Sequence, residues 1–189
     1  LVRLGGIRHE VGHSVLHGSL QHYLVPLPPV LLELADRFGL SHEYITNVLY
    51  LISIAVKDYE VSRLLYERGY ISDQVAYAKH LLGTSEGDII SWKMSRGNPL
   101  AQILCLISCL KSTSCAVALL DDEKFGKGLR QHLNESLYHV PVRYRSLLLK
   151  MTFQDFPSLG TDTLNNISHI VQRCQAIFEA VLKTPNSSS

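Results

Sequence analysis

Residues 9–13 read His9-Glu10-Val11-Gly12-His13, two imidazoles four positions apart with a carboxylate beside the first. On an α-helix, residues at that spacing sit about one turn from each other on one face. Two imidazoles so placed can hold one zinc ion from the same side. The intervening carboxylate then points at the position from which a water would approach the metal. Zinc lowers the pKa of such a water, and Glu10 can take its proton as general base. The chemistry on offer is hydrolysis of a polarised carbonyl, with His9 and His13 as metal ligands and Glu10 as the catalytic base.

A catalytic zinc normally has three protein ligands. The extended pattern HExxHxxGxxH would need Gly at 16 and His at 19, and the chain has Leu16 and Ser19. His17 and His22 follow on the same helix or in its exit turn. Both are expected to be supporting or surface histidines. The other source of a ligand is a carboxylate on a second helix, where Val56-Lys57-Asp58-Tyr59-Glu60-Val61-Ser62 offers two. Asp58 and Glu60 point about 200° apart on a helix and cannot both face one ion. Asp58 is flanked in projection by Leu51, Ile54, Val61 and Leu65. A bare carboxylate in such an apolar stripe is costly unless paired or metal-bound. Asp58 is therefore the expected third ligand and Glu60 the alternate. The competing use for either is an ion pair, Glu60 with Lys57 or Arg63, or Asp58 with a buried Arg or Tyr.

These two stretches resemble the gluzincin branch of the zincin metallopeptidases, in which HExxH on one helix is completed by ExxA(D/N) and an apolar pair on the next. Asp58 stands at the position of the ligand Glu, Val61 at the Ala, Ser62 at the Asp or Asn, and Leu64-Leu65 at the apolar pair. The resemblance covers roughly residues 5–68. It departs from the pattern at Asp58, Val61 and Ser62, and the shorter Asp would need a closer approach of the two helices. It implies Zn2+ as cofactor, a peptide or protein substrate, and a sheet upstream of the first helix that the chain does not contain. Zincin sites also use a Tyr, His or Arg to stabilise the developing oxyanion. Tyr138, His139 and Tyr144 are exposed-looking candidates, whereas Arg8 is expected at the surface or in a supporting role.

The elements that must hold these residues read as almost entirely helical. Ile7, Val11, Val15 and Leu16 would give the HExxH helix an apolar face, so a buried helix with its histidines aimed inward is expected. That helix should run from about Gly6 to Tyr23. A short helix from Leu31 to Phe38 and a long one from Ser41 to Arg68 follow, with Ser41 as N-cap and Gly69 as the stop. Further helices are expected to Leu82, from Leu100 to Leu120, from Leu129 to Tyr138, from Val142 to Thr152, and from a cap at Thr161 or Asp162 to Leu182. Segment 83–99 reads as loop plus a short element. Strand-like alternation is scarcely present. The expected fold is mainly α: one helical domain over residues 1–184 with the HExxH helix packed on the long second helix, then a frayed tail at 185–189.

Composition narrows the rest. The net charge of +1 gives no electrostatic case for nucleic acid or an anionic membrane. Residues 101–120 are long and apolar enough to span a bilayer, but Lys111 sits at the centre, so a core helix is expected and no membrane span. The cysteines at 105, 109, 115 and 174 form no CxxC pair. Cys105 and Cys109 are expected as buried, reduced thiols on one helix face. With no signal peptide visible, a cytoplasmic setting is expected and the sequons at Asn134, Asn166 and Asn186 are chance matches. The leading reading is a zinc peptidase. The alternatives are a helical interaction domain with a vestigial or structural zinc site, and a metal-free bundle whose HExxH is accidental.

Overall fold

The computed structural model describes residues 1–183, so the expected tail at 185–189 and the sequon at Asn186 lie outside it. Helix accounts for all the regular structure among the described residues, and the chain is mainly α. The elements are α1 (Val2–His17), α2 (Pro29–Phe38), α3 (His42–Glu67), α4 (Ile71–Leu81), α5 (Glu86–Met94), α6 (Pro99–Val117), α7 (Gly126–Ser136), α8 (Val142–Lys150) and α9 (Thr163–Leu182).

Local signals explain most boundaries. The Ser41 hydroxyl accepts from the Tyr44 N–H at 3.2 Å and caps α3, with Glu43 in its first turn. At its far end the chain turns through Gly69 at φ 80°, a conformation that side chains with a Cβ rarely adopt. Asn98 caps α6, and Pro99 begins it at a position that needs no N–H. Asp162 caps α9. The segment expected as loop plus short element holds α5, opened by a reciprocal capping box between Ser85 and Asp88. Beyond α8 the chain continues through a π turn at Met151–Asp155 and a 3-10 turn at Phe156–Ser158.

The long α3 is the centre of the molecule. Ile45, Val48, Ile52, Ala55, Val56 and Val61 are fully or almost fully buried, and they cover more than one face, as a helix surrounded by others requires. It packs most extensively on α6, through Ile103, Leu106, Ile107 and Leu110, and then on α1 and α9. By length and composition α6 is apolar enough to cross a membrane, and half of it is buried inside the molecule.

α1 lies against α3 and α4 with its histidines aimed inward as expected, but the apolar face expected to be buried with them is turned out. Ile7, Val11 and Val15 are 56%, 58% and 70% exposed, while Gly5, His9, Gly12 and His17 are buried. The reason is close approach. A Cβ on Gly12 would stand 2.6 Å from Val61 Cγ1, and one on Gly5 would stand 2.4 Å from the Asp73 carbonyl oxygen. Two glycines thus let the histidine face of α1 come close to α3 and α4, and a side chain at either would force the helices or their neighbours to shift. Polar ties complete the seam with α4. Arg8 pairs with the buried Asp73 at 2.7 Å while stacking over Tyr70, and Gln74 donates to the Gly5 carbonyl at 3.0 Å.

Candidate metal centre

Three histidines one turn apart line the inner face of α1, and α3 meets them with two carboxylates at two levels. At the first level, Asp58 Oδ1 lies 3.5 Å from His9 Nε2 and 3.1 Å from His13 Nε2. Zinc ligands of this type lie about 2 Å from the metal and therefore roughly 3–3.5 Å from one another. Both separations fall in that range. At the second level, Glu60 Oε2 lies 2.9 Å from His17 Nε2. Glu60 does not approach His9 or His13, so the structure separates the two carboxylates as their angular spacing requires.

The surroundings of the two acids are different in kind. Glu60 accepts from the Thr163 hydroxyl at 2.8 Å and from the Asn166 amide at 2.6 Å, both on α9. Burial would push its carboxyl up, but the hydrogen bonds from His17, Asn166 and Thr163 outweigh that and hold it below the ordinary value. Asp58 is also held low against burial, by His13 and His9 alone. The competing use of Glu60, an ion pair with Lys57 or Arg63, does not form among the described residues. Lys57 donates to the His22 carbonyl at 2.6 Å, and Arg63 donates to the carbonyls of Leu159 and Gly160.

A cleft of about 580 Å³ opens onto the first level, walled by His9, Glu10, His13, Asp58, Tyr77 and Lys111 among others. Glu10 is exposed on this wall, and its carboxylate makes no ion pair among the described residues. Tyr77 packs against the His9 ring at 5.2 Å between centroids. Burial, with the nearby Cys115, Asp58 and Glu10, pushes its hydroxyl up to about 12, so it stays a hydrogen-bond donor. Lys111 is exposed on the cleft wall and likewise makes no ion pair among the described residues. The one charge inside the apolar run of α6 is thereby accounted for, because Lys111, with Ser112 beside it, stands where that helix lines the cleft.

Two neighbours of the site, Tyr77 and Cys115, were not singled out by the sequence. Donor atoms of His9, Asp58 and Cys115 lie within 4.8 Å of one another. His13 joins this group through Asp58 Oδ1 rather than through Cys115. Burial, and then the Asp58 charge, push the Cys115 thiol well above its ordinary value. Its spacing from the other cysteines carries no signal; only the packing of α6 on α3 brings it near. Cys105 and Cys109, expected to be buried, are only half-buried and line a separate hollow with Trp92 and Ser108. The expected oxyanion candidates are also elsewhere. Tyr138 is exposed away from the cleft, and Tyr144 is buried against Trp92, because the short α8 turns it into the core.

By ligand type the two imidazoles and the carboxylate fit zinc, and the Asp58–His9 and Asp58–His13 separations are compatible with it. His9 Nδ1 is buried without a hydrogen-bond partner, so this ring lacks the contact that metal-bound imidazoles usually make through their second nitrogen. An imidazole so enclosed is costly unless its remaining interactions are strong. No protein-family model, no curated protein and no solved structure matches the chain.

Proposed function

We propose that this protein is a zinc-dependent peptidase of gluzincin type, with the metal held by His9, His13 and Asp58. The observation that carries the reading is the convergence of both HExxH imidazoles on one carboxylate oxygen 45 and 49 residues away. Zinc at that point supplies Lewis-acid polarisation of a peptide carbonyl and acidifies the attacking water. Glu10, free on the cleft wall, takes the water's proton on its carboxylate and passes it to the departing amine. The Tyr77 hydroxyl is the donor best placed to meet charge developing on the carbonyl oxygen. Lys111 offers an ammonium to a negatively charged group of the substrate. The test is cleavage of a mixed peptide library by zinc-loaded protein beside Glu10→Gln. Cleavage by the first and not the second supports the reading; equal cleavage, or none by either, removes it.

Cys115 favours a second reading, a structural zinc with no catalysis. A thiolate as fourth ligand would close the tetrahedron and leave no position for water. Cobalt substitution separates the two. An intense sulfur-to-metal charge-transfer band that disappears in Cys115→Ser supports the closed site, and its absence supports the open one.

A further inference from the structure

We infer that Glu60 and His17 are positioning residues for His13, forming a line of hydrogen bonds that fixes which nitrogen of His13 is free to bind metal. The inference rests on the zinc reading above and deepens it. For His13 to ligate on the Asp58 side, its Nε2 must present a lone pair, so the ring hydrogen is on Nδ1. That nitrogen lies 3.3 Å from His17 Nδ1. His17 can accept there only if its own hydrogen is on Nε2, and His17 Nε2 lies 2.9 Å from Glu60 Oε2. An ionised carboxylate accepts and cannot donate. Each member therefore has one allowed proton position, and the one that results at His13 leaves Nε2 bare toward Asp58.

The far end of the line is anchored independently of the metal. Thr163 and Asn166 donate to Glu60, and the Asn166 side chain also accepts from the Gly160 N–H at 3.0 Å. Arg63 holds the same loop by the carbonyls of Leu159 and Gly160. The carboxylate thus has a fixed place, set by α3, α9 and the loop before it. His9 has no such support, since its Nδ1 is unpartnered. The two imidazoles of HExxH are then unequal, with His13 oriented from behind and His9 held by packing against Tyr77. Carboxylate–histidine contacts behind a metal ligand raise its basicity and typically change metal affinity by roughly 10–100-fold. Here the contact passes through a second imidazole.

The decisive experiment is a long-range proton–nitrogen NMR spectrum of the zinc-loaded chain with labelled histidine. The expected result is His13 carrying its hydrogen on Nδ1 and His17 carrying its hydrogen on Nε2. A His17 with hydrogen on Nδ1 overturns the inference. Zinc affinity by chelator competition gives a second readout. His17→Phe and Glu60→Gln should each weaken binding by roughly 10–100-fold. His17→Gln, whose amide can accept on one side and donate on the other, should recover most of the loss. Affinity unchanged in folded His17→Phe and Glu60→Gln overturns the positioning role and leaves the ligand set intact. A wild type that takes up no zinc overturns the ligand set itself, and the positioning role with it. Should the variants fail to fold, the wild-type spectrum still decides.

Discussion

Asp58 and Glu60 stand two residues apart on α3 and are almost equally buried, at 7% and 5% exposure. Each is met by histidine from α1, and each is held ionised against the cost of burial. What separates them is how their oxygens are used. Both oxygens of Glu60 are engaged by His17, Thr163 and Asn166, which leaves it little capacity for another partner. Asp58 directs a single oxygen at two imidazoles, and it does so on the wall of an open cleft. A carboxylate saturated by donors from two other helices, α1 and α9, is a structural tie. One that gathers only imidazole nitrogens, beside an exposed carboxylate and an exposed ammonium, has surroundings compatible with the proposed metal ligation. Burial and charge alone do not distinguish the two; the identity of the partners does.

The comparison breaks most visibly at the metal. Wild type should hold one zinc ion per chain by atomic emission and Asp58→Ala none, whereas Glu60→Ala should still fill when zinc is in excess. Retention by Asp58→Ala together with loss in Glu60→Ala would reverse the two roles. Next in size is the catalytic base. Glu10→Gln should keep the metal and lower peptide hydrolysis by roughly 10²–10⁴-fold, because proton transfer rather than ligation is removed. Unaltered turnover would place the activity in another site or a contaminant.

Smaller effects sharpen the distinction on the side of stability. Glu60→Ala strands the buried donors of His17, Thr163 and Asn166, and should destabilise the fold by about 3 kcal/mol in denaturant titration. Stability equal to wild type would mean those donors find other partners. Gly5→Ala and Gly12→Ala force α1 away from α4 and α3, at a cost of about 1–3 kcal/mol each. Gly5→Ala should be the worse of the two, because its new Cβ meets backbone and not the end of a side chain. Both should also weaken zinc binding, since Asp58 is a short ligand and needs α1 close; an unchanged affinity would show that the seam can open without moving His9 and His13. The smallest expected effect is at Lys111. Lys111→Ala should raise KM for peptides carrying a carboxylate near the scissile bond and leave neutral peptides unaffected.

Much of this molecule is legible along the chain. The i, i+4 histidines with a carboxylate between them, the caps at Ser41 and Asp162 and the stop at Gly69 are local signals, and local geometry follows from them. The choice of Asp58 over Glu60 as the neighbour of HExxH also follows from a local argument, that an isolated carboxylate in an apolar stripe needs a strong partner. What the chain by itself did not determine is the absolute rotation of α1. Periodicity places Ile7, Val11 and Val15 together on one face, but it does not say which face turns inward. The tertiary structure turned the glycine and histidine face in, because only Gly5 and Gly12 let α1 come close enough to α3 and α4 for the imidazoles to reach their carboxylates. Cys115, Tyr77 and Lys111 belong to the same class of fact. They come from α6 and α4 and carry no spacing that ties them to HExxH; Tyr77 and Lys111 reach the cleft, and Cys115 comes near Asp58, only because those helices pack beside the site on α3 and α1.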